Sequence, residues 1–248
     1  LGELILDNYS ACANATEPNR VSKLVNSIFD SNIIEIAHAN RLELSQQQIE
    51  QLDRFAHLLL EWNGKVNLIS RKDEANIFTR HILHSLTLAM PNVVESIPQN
   101  ATVLDLGTGG GLPGIPLKIV RPDLKMILCD SIQKKVVAVS VMISELKLTD
   151  AKAVWSRAAD LPKNGVTEKF DVVVTRAVAP LEDLVQWTRS QLKPATRMLA
   201  LKGGDRQDEI ASCRKLAGVR SVTESPLDLI GYSEFVADEK KLVIVEMK

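Results

Sequence analysis

Val103 to Leu117 reads VLDLGTGGGLPGIPL. An apolar run carries an acid, Asp105, and glycines follow at 107, 109, 110, 111 and 114. A turn this rich in glycine lets backbone come close to a ligand. Two registers fit. In the first, Gly109, Gly111 and Gly114 form GxGxxG after a strand-like run, with Asp130 about twenty residues on, the outline of a dinucleotide site. In the second, the motif starts at Asp105 and runs through Gly107 to Gly109. A carboxylate at the strand end would repel a pyrophosphate held on the turn and the helix behind it. S-adenosylmethionine has no phosphate and carries a positive sulfonium and a positive α-amino group. The electrostatics favour it over NAD, with an NAD-linked oxidoreductase as the competing reading. In both registers Asp130, at the end of the next strand, accepts hydrogen bonds from two ribose hydroxyls. Pro113 and Pro116 disfavour the long regular helix of a dinucleotide unit.

The elements that would hold these residues alternate. From about Ala101, strand-like runs TVLDL, KMILCD, KAVWS, FDVVVTR, RMLALK, GVRSVTES and KLVIVEM are mostly separated by helical stretches. That order predicts a largely parallel sheet with helices on both faces. FDVVVT is nearly all apolar, as a strand buried on both faces should be. The last run follows its predecessor without an intervening helix, which predicts an antiparallel insertion. The first ninety or so residues read as helical. Val21, Leu24, Val25 and Ile28 make one stripe of a helix over 21–38, after a loosely ordered arm over 1–20. In LSQQQIEQLDRFAHLLLEW, Ser45 suits an N-cap, and Ile49, Leu52, Phe55, Ala56, Leu59 and Leu60 recur at helical spacing. A third helix is expected from Asp73 to Met90, stopped by Pro91.

Composition narrows the partners. The 248 residues are 45% hydrophobic, and 30 basic against 31 acidic side chains leave a net charge of -1. A nucleic acid would therefore have to be met by a local basic patch. No run of about 18 apolar residues is present, so no membrane contact is expected. Glu3 and Asp7 come early and no basic n-region precedes them, which argues against a secretory signal and for a cytoplasmic setting. Cys12, Cys129 and Cys213 form no CxxC, as suits a reducing compartment. His38, His57, His81 and His84 include no HExxH, and no metal site is expected.

DLGTGGGLPGIPLKIVRPD resembles the S-adenosylmethionine motif of the RsmG family, also called GidB or glucose-inhibited division protein B. Its members are 16S ribosomal RNA methyltransferases that act on N7 of a guanine. WNGKVNLIS (Trp62 to Ser70), RHILHSL (Arg80 to Leu86), ELKL (Glu145 to Leu148), VVTRAVAPL (Val173 to Leu181) and ALKGG (Ala200 to Gly204) fall in that family's order and spacing. The likeness covers roughly residues 45–248. It implies a Rossmann-like class I methyltransferase, α/β, with a seven-stranded mainly parallel sheet and an N-terminal helical extension. The implied division is 1–40 as an extension of unassigned role, 41–98 as a helical cap and 99–248 as the methyltransferase domain. The implied cofactor is S-adenosylmethionine. Gly107 and Leu112, in the turn with Asp105, Gly109 and Gly111, would touch it, Asp130 would take the ribose, and Ala158 and Ala159 the adenine side. Arg176 matches the family's binding arginine. The chain departs from the pattern at His84, where the family usually has Asp, and at Ala159, where it usually has an acid. It departs again in SIQKKVVAV after the second strand, where a glycine is replaced.

Methylation of guanine N7 asks little of acid–base chemistry. N7 already holds an in-plane lone pair, so proximity and orientation toward the methyl carbon carry the reaction. The absence of a recognisable His-Asp or Cys-His dyad fits this. The guanine must be unpaired or flipped out. Arg176 is the central candidate; its guanidinium can bind guanine O6, a phosphate or the cofactor carboxylate, or make a structural ion pair. Arg80, His81, Lys202 and Arg206 are candidate RNA contacts. Asn63 and Asn67 suit either the site or helix capping, and Trp62 and Trp155 either base stacking or core. The expected partner is 16S ribosomal RNA or the small ribosomal subunit, met by a monomer. A relic that binds RNA or assists assembly without turnover is the non-enzymatic alternative.

Overall fold

The computed structural model describes residues 31–248. The arm over 1–20, the Val21–Ile28 stripe and Cys12 lie outside the described residues. Seven strands make one sheet: β1 (Thr102–Leu106), β2 (Lys125–Asp130), β3 (Ala151–Trp155), β4 (Phe170–Arg176), β5 (Leu192–Gly203), β6 (Val219–Pro226) and β7 (Lys240–Met247). Their order is β3-β2-β1-β4-β5-β7-β6. Pairing is parallel from β3 across to β5, and β7 runs antiparallel between β5 and β6. The expected antiparallel insertion is therefore present.

The apolar strands are sandwiched. Val103, Val172, Val174, Leu199 and Leu201 face one core, while Leu104, Val173, Met198 and Ala200 face the other. Successive residues point to opposite faces, so strands buried on both sides must be apolar throughout. The first core also takes in the helical N-terminal part, including Phe55, Leu59, Ile82 and Leu86. The helical residues and the sheet thus share one continuous apolar interior. The second core is closed by α5 (Leu181–Thr188) and α6 (Gln207–Arg214), through Leu181, Leu184, Val185, Ile210 and Cys213.

Helix α1 (Ser31–Ala39) precedes α2 (Gln46–Asn63). Ser45 caps α2 as its spacing predicts: its hydroxyl accepts from Gln48 N while its own N–H donates to Gln48 Oε1. The third helix is not the regular element expected. Arg71–Asn76 is a tight 3-10 turn, Phe78–Leu83 a π-turn, and two short turns carry the chain to Ala89. Pro91 then opens a new short helix, Pro91–Val94, rather than ending one. π-turns are rare and widen a helix locally; this one carries Arg80 and His81. Between β1 and β2 lies α3 (Gly114–Val120), short as its two prolines predict, and α4 (Gln133–Glu145) follows β2.

Chain order reverses at β1. The chain adds β2 and β3 on one side, then crosses to place β4 on the other. Helices diverge there, leaving a crevice at the carboxyl ends of the strands.

Candidate active site

The glycine turn leaves the end of β1 and folds onto its own backbone. Gly107 N and Thr108 N both donate to Cys129 O, and Gly111 N and Leu112 N both donate to Thr108 O. Gly109 N donates to Asp130 Oδ2 at 3.0 Å, and Gly114 N to Asp105 Oδ2 at 2.9 Å. A phosphate-binding turn keeps such N–H groups free for the anion; here they are taken up internally. Gly107, at φ +69°, is a close approach: a Cβ there would lie 2.4 Å from Val178 Cγ2. Gly114 sits directly on Asp105, where a Cβ would lie 2.4 Å from Oδ2.

Asp105 is fully buried, and its Oδ2 also accepts from Thr108 Oγ1 at 2.6 Å. It organises the turn from beneath and does not line the crevice, and neither do Gly111 and Leu112. The sequence argument placed its charge beside a ligand; in the structure, the internal use of the turn's N–H groups is what disfavours a pyrophosphate. Burial pushes the Asp105 carboxyl up from 3.8 to about 7, against the lowering hydrogen bonds from Thr108 and Gly114. The folded state then holds a proton that the unfolded chain has released. Its stabilising effect is complete below the unfolded value of 3.8 and is lost as pH rises through about 7. We expect the unfolding free energy of the wild type, relative to Asp105→Asn, to fall across that window in urea titrations. A difference that stays constant with pH would contradict the buried titration.

Above the turn lies a cavity of about 680 Å³ bounded by Gly107, Gly109, Asp130, Ala158, Ala159 and Val178. Its size is that of a small-molecule site. Most of its lining comes from strand ends: the turn from β1, Asp130 from β2, Ala158 and Ala159 from the segment after β3, and Ala177 and Val178 from the segment after β4. Asp130 is fixed by Ile132 N on Oδ1 and Gly109 N on Oδ2. Each oxygen retains a lone pair for a hydroxyl. Cys129 also lines this cavity, but burial raises its thiol to about 12, so it is no nucleophile. The small Ala158 and Ala159 side chains leave that side of the cavity open to a flat, neutral group, and the spare lone pairs of Asp130 suit a diol. These are the demands of the adenosine of S-adenosylmethionine.

A second cavity, about 550 Å³, adjoins the first along Ala177 and Val178. Arg176, Arg80, His81, Lys202 and Arg206 all line it, with His84, Tyr232, Phe235 and Lys240. The π-turn thus covers the strand ends, bringing its residues opposite Arg176. Among the described residues the Arg176 guanidinium has no hydrogen bond or ion pair, so the structural ion pair is not formed. Burial lowers it to about 10, still charged at neutral pH. Ala177, next in sequence, has φ +54°, a strained conformation for a residue with a Cβ. Among the described residues, no group of three or more His, Cys, Asp or Glu could hold a metal.

Lys202 is differently engaged from a free phosphate contact. Its Nζ donates to Ala179 O at 2.5 Å and to Glu209 Oε1 at 2.6 Å, and Glu209 Oε1 also accepts from Leu181 N at 2.7 Å. The pair therefore grips the chain on both sides of Pro180 and fixes the segment that divides the two cavities. Arg206 leans on the same Glu209 at 3.6 Å but remains 40% exposed at the rim. We expect Lys202→Met to lower the unfolding free energy by about 1–2 kcal/mol and to weaken S-adenosylhomocysteine binding severalfold in calorimetry. Unchanged values in both would free Lys202 from this role.

Asn63 takes the capping alternative: its Oδ1 accepts from Leu68 N and Ile69 N, and its Nδ2 donates to Glu74 Oε1. Trp62 is buried in the core, whereas Trp155 is 55% exposed on the edge strand. Sequence reasoning missed Trp187, Tyr232, Phe235 and Lys240. Trp187 lines the first cavity from α5 and is 41% exposed, and the other three line the second. They come from segments with no motif of their own; only the rule that sites form at strand ends points toward them.

Known proteins resemble this chain in sequence and in fold. The family described as "rRNA small subunit methyltransferase G" matches residues 48–232. A ribosomal RNA small subunit methyltransferase G from Chlorobium limicola is 39% identical over 217 residues, covering 86% of this chain and 95% of its own. One from Flavobacterium psychrophilum is 36% identical over 216 residues, covering 83% of this chain and 94% of its own. Among solved structures, a ribosomal protein L11 methylase from Lactobacillus delbrueckii subsp. bulgaricus superposes with a TM-score of 0.51 at 16% identity. It covers 68% of this chain and 79% of its own, a likeness of fold.

Proposed function

Since the chain belongs to the family of small-subunit ribosomal RNA methyltransferases G, we propose that it methylates N7 of a guanine in 16S ribosomal RNA. The observation that carries the reading is the pairing of two cavities across Ala177 and Val178, with an unpartnered Arg176 on the far side. The fit to S-adenosylmethionine rests on Asp130 for the ribose hydroxyls, Ala158 and Ala159 for the adenine, and the closely approached Gly107. When bound, that cofactor supplies an electrophilic methyl group on a sulfonium.

The chain's own residues then orient. The target guanine enters the second cavity, and Arg176 donates to O6. N7 must stay free because its lone pair attacks, so the guanidinium takes only the neighbouring oxygen. Val178 and Ala177 set how closely base and methyl group meet. No residue removes a proton, and none needs to. Asp105, the one carboxyl among the described residues that is raised toward neutrality, is sealed beneath the turn, away from both cavities. Arg80 and Arg206, 48% and 40% exposed, stand at the rim where RNA phosphates pass. Among the described residues no helix is long and apolar enough to cross a membrane.

Calorimetry with S-adenosylhomocysteine and with NADH tests the cofactor assignment. Micromolar binding of the first and none of the second is expected; tight NADH binding alone would restore the dinucleotide reading.

A further inference from the structure

The cofactor and the target base leave one exposed aromatic side chain without a role. Six large apolar side chains are exposed among the described residues: Ile132, Trp155, Val178, Trp187, Ile230 and Val236. Ile132, Val178 and Trp187 line the first cavity, so the proposed cofactor would cover them. Trp155 does not line it; it stands 55% exposed at the end of β3, the edge strand. There it lines a neighbouring recess of about 410 Å³ with Arg157 and Asn164. The recess and the first cavity share Ser131, Ser156, Arg157 and Asp160, so one opens beside the other.

The indole is held in place. Its Nε1 donates to Ser131 O at 3.0 Å, which ties the end of β3 to the chain entering α4. The single polar atom of the ring is thereby paired within the protein, and what remains for a partner is π-face and carbon edge. Cations stand near it. Arg157 lines both openings, Lys135 lines the first cavity, and Lys134 precedes it at the start of α4. None of the three has a side-chain hydrogen bond or ion pair among the described residues. α4 has no acid in its first turn, so its two lysines oppose the helix dipole. Asp160 is the one carboxylate lining the recess among the described residues, and Lys163 pairs with it at 2.9 Å. An aromatic face with unpaired positive charge beside it fits nucleic acid, since every base has a π-face and every phosphate a negative charge.

Position along the sheet decides which base is met. Trp155 ends β3 and Arg176 ends β4, three strands away in the sheet. The register sets them level: Leu106 pairs with both Cys129 and Thr175, and Asp130 pairs with Trp155. Their separation is therefore sideways, roughly 15 Å at the usual strand spacing. That excludes the target guanine and suits a nearby nucleotide of the same strand. Resting on the RNA-methylating reading, we propose that Trp155 is a stacking platform for an unpaired base flanking the target, with Arg157, Lys134 and Lys135 receiving the phosphates of that stretch. The RNA then runs along the carboxyl ends of the strands, from Arg80 and Arg206 at the second cavity, across the mouth of the first, to β3. Stacking reads no hydrogen-bond pattern, so the contact adds affinity and aligns the strand without selecting a sequence.

Steady-state transfer to small ribosomal subunits lacking the modification tests this with the full chain. Trp155→Ala should raise the KM for subunits roughly tenfold, the scale of one lost base stack, and leave kcat unchanged. S-adenosylhomocysteine affinity and the thermal transition should stay at wild-type values, because Trp155 lies outside the first cavity. Trp155→Phe keeps an aromatic face and should lie near the wild type. If Trp155→Ala fails to fold, Trp155→Gln, which has reach but no aromatic face, is measured in its place. The triple variant Lys134→Gln, Lys135→Gln, Arg157→Gln should flatten the salt dependence of subunit binding by about 2 in log–log slope. A photocrosslink from Trp155→p-benzoylphenylalanine is expected on 16S ribosomal RNA. Beside an active wild type, a wild-type KM in folded Trp155→Ala, an equal rise in Trp155→Phe, or an unchanged salt slope would overturn the platform. So would a crosslink to a ribosomal protein alone, which would make the indole a protein-docking site. A wild type that binds S-adenosylhomocysteine but methylates no guanine would instead remove the reading on which the platform rests.

Discussion

Arg176→Met should lose methyl transfer by two to three orders of magnitude while leaving the protein at least as stable as the wild type, on the scale of a lost preorganised donor. The two halves of this expectation come from one observation. The guanidinium ends β4, is buried enough to be lowered to about 10, and has no partner among the described residues. A structural arginine would repay its desolvation through hydrogen bonds or a carboxylate. This one does not, so replacing it by an apolar side chain of similar length should be neutral or stabilising. The same donor is the group proposed to meet the substrate, and its loss should fall on transfer. Single-turnover assays beside urea denaturation read both quantities. A variant that unfolds more easily and transfers in proportion to its folded fraction would make Arg176 a structural residue.

The second large effect is expected at Asp130. Asp130→Ala should weaken S-adenosylhomocysteine binding by about 2–3 kcal/mol, roughly 30- to 150-fold, as charged hydrogen bonds are lost. Asp130 works in two directions. Toward the cavity it has lone pairs free for the ribose hydroxyls of the proposed cofactor. Toward the protein it holds Gly109 N and Ile132 N, fixing the glycine turn to the end of β2. Asp130→Asn separates these tasks, since it keeps one carbonyl oxygen for a backbone donor but halves the acceptors facing the diol. Its loss should be intermediate. An unaltered dissociation constant in Asp130→Ala would take the residue out of the cofactor site.

Much of this was legible in the sequence, and the misses have physical causes. β1, β2 and β4 are read to the residue because strands buried on both faces must be apolar and the turns that end them are abrupt. β5 begins at Leu192, earlier than its apolar run suggests. Pro194 and Ala195, the latter at φ +60°, read as a turn, and the pairing with β4 shifts between Phe170 and Val172. The helical stretch over 71–89 has helical periodicity, but periodicity does not distinguish 3-10 and π turns from an α-helix. Asp105 was legible as an acid at a strand end; that its side chain turns inward to Thr108 and Gly114 is decided by packing. Lys202 carried a charge that suggests phosphate, and only the fold reveals Glu209 and Ala179 O as its partners. His81 and His84 read as helix-face residues three apart. Only the fold reveals that Phe235, with Tyr232 against it, is brought to His84 from some 150 residues further along the chain.

The central claim is that two adjoining cavities bring a methyl donor and a guanine together. Small ribosomal subunits lacking the modification, incubated with the full chain and S-adenosylmethionine labelled in the methyl group, test it most directly. The expected product is 16S ribosomal RNA carrying the label on N7 of one guanine, absent with Arg176→Met. Binding of S-adenosylhomocysteine without any transfer, or label on another atom, would contradict it.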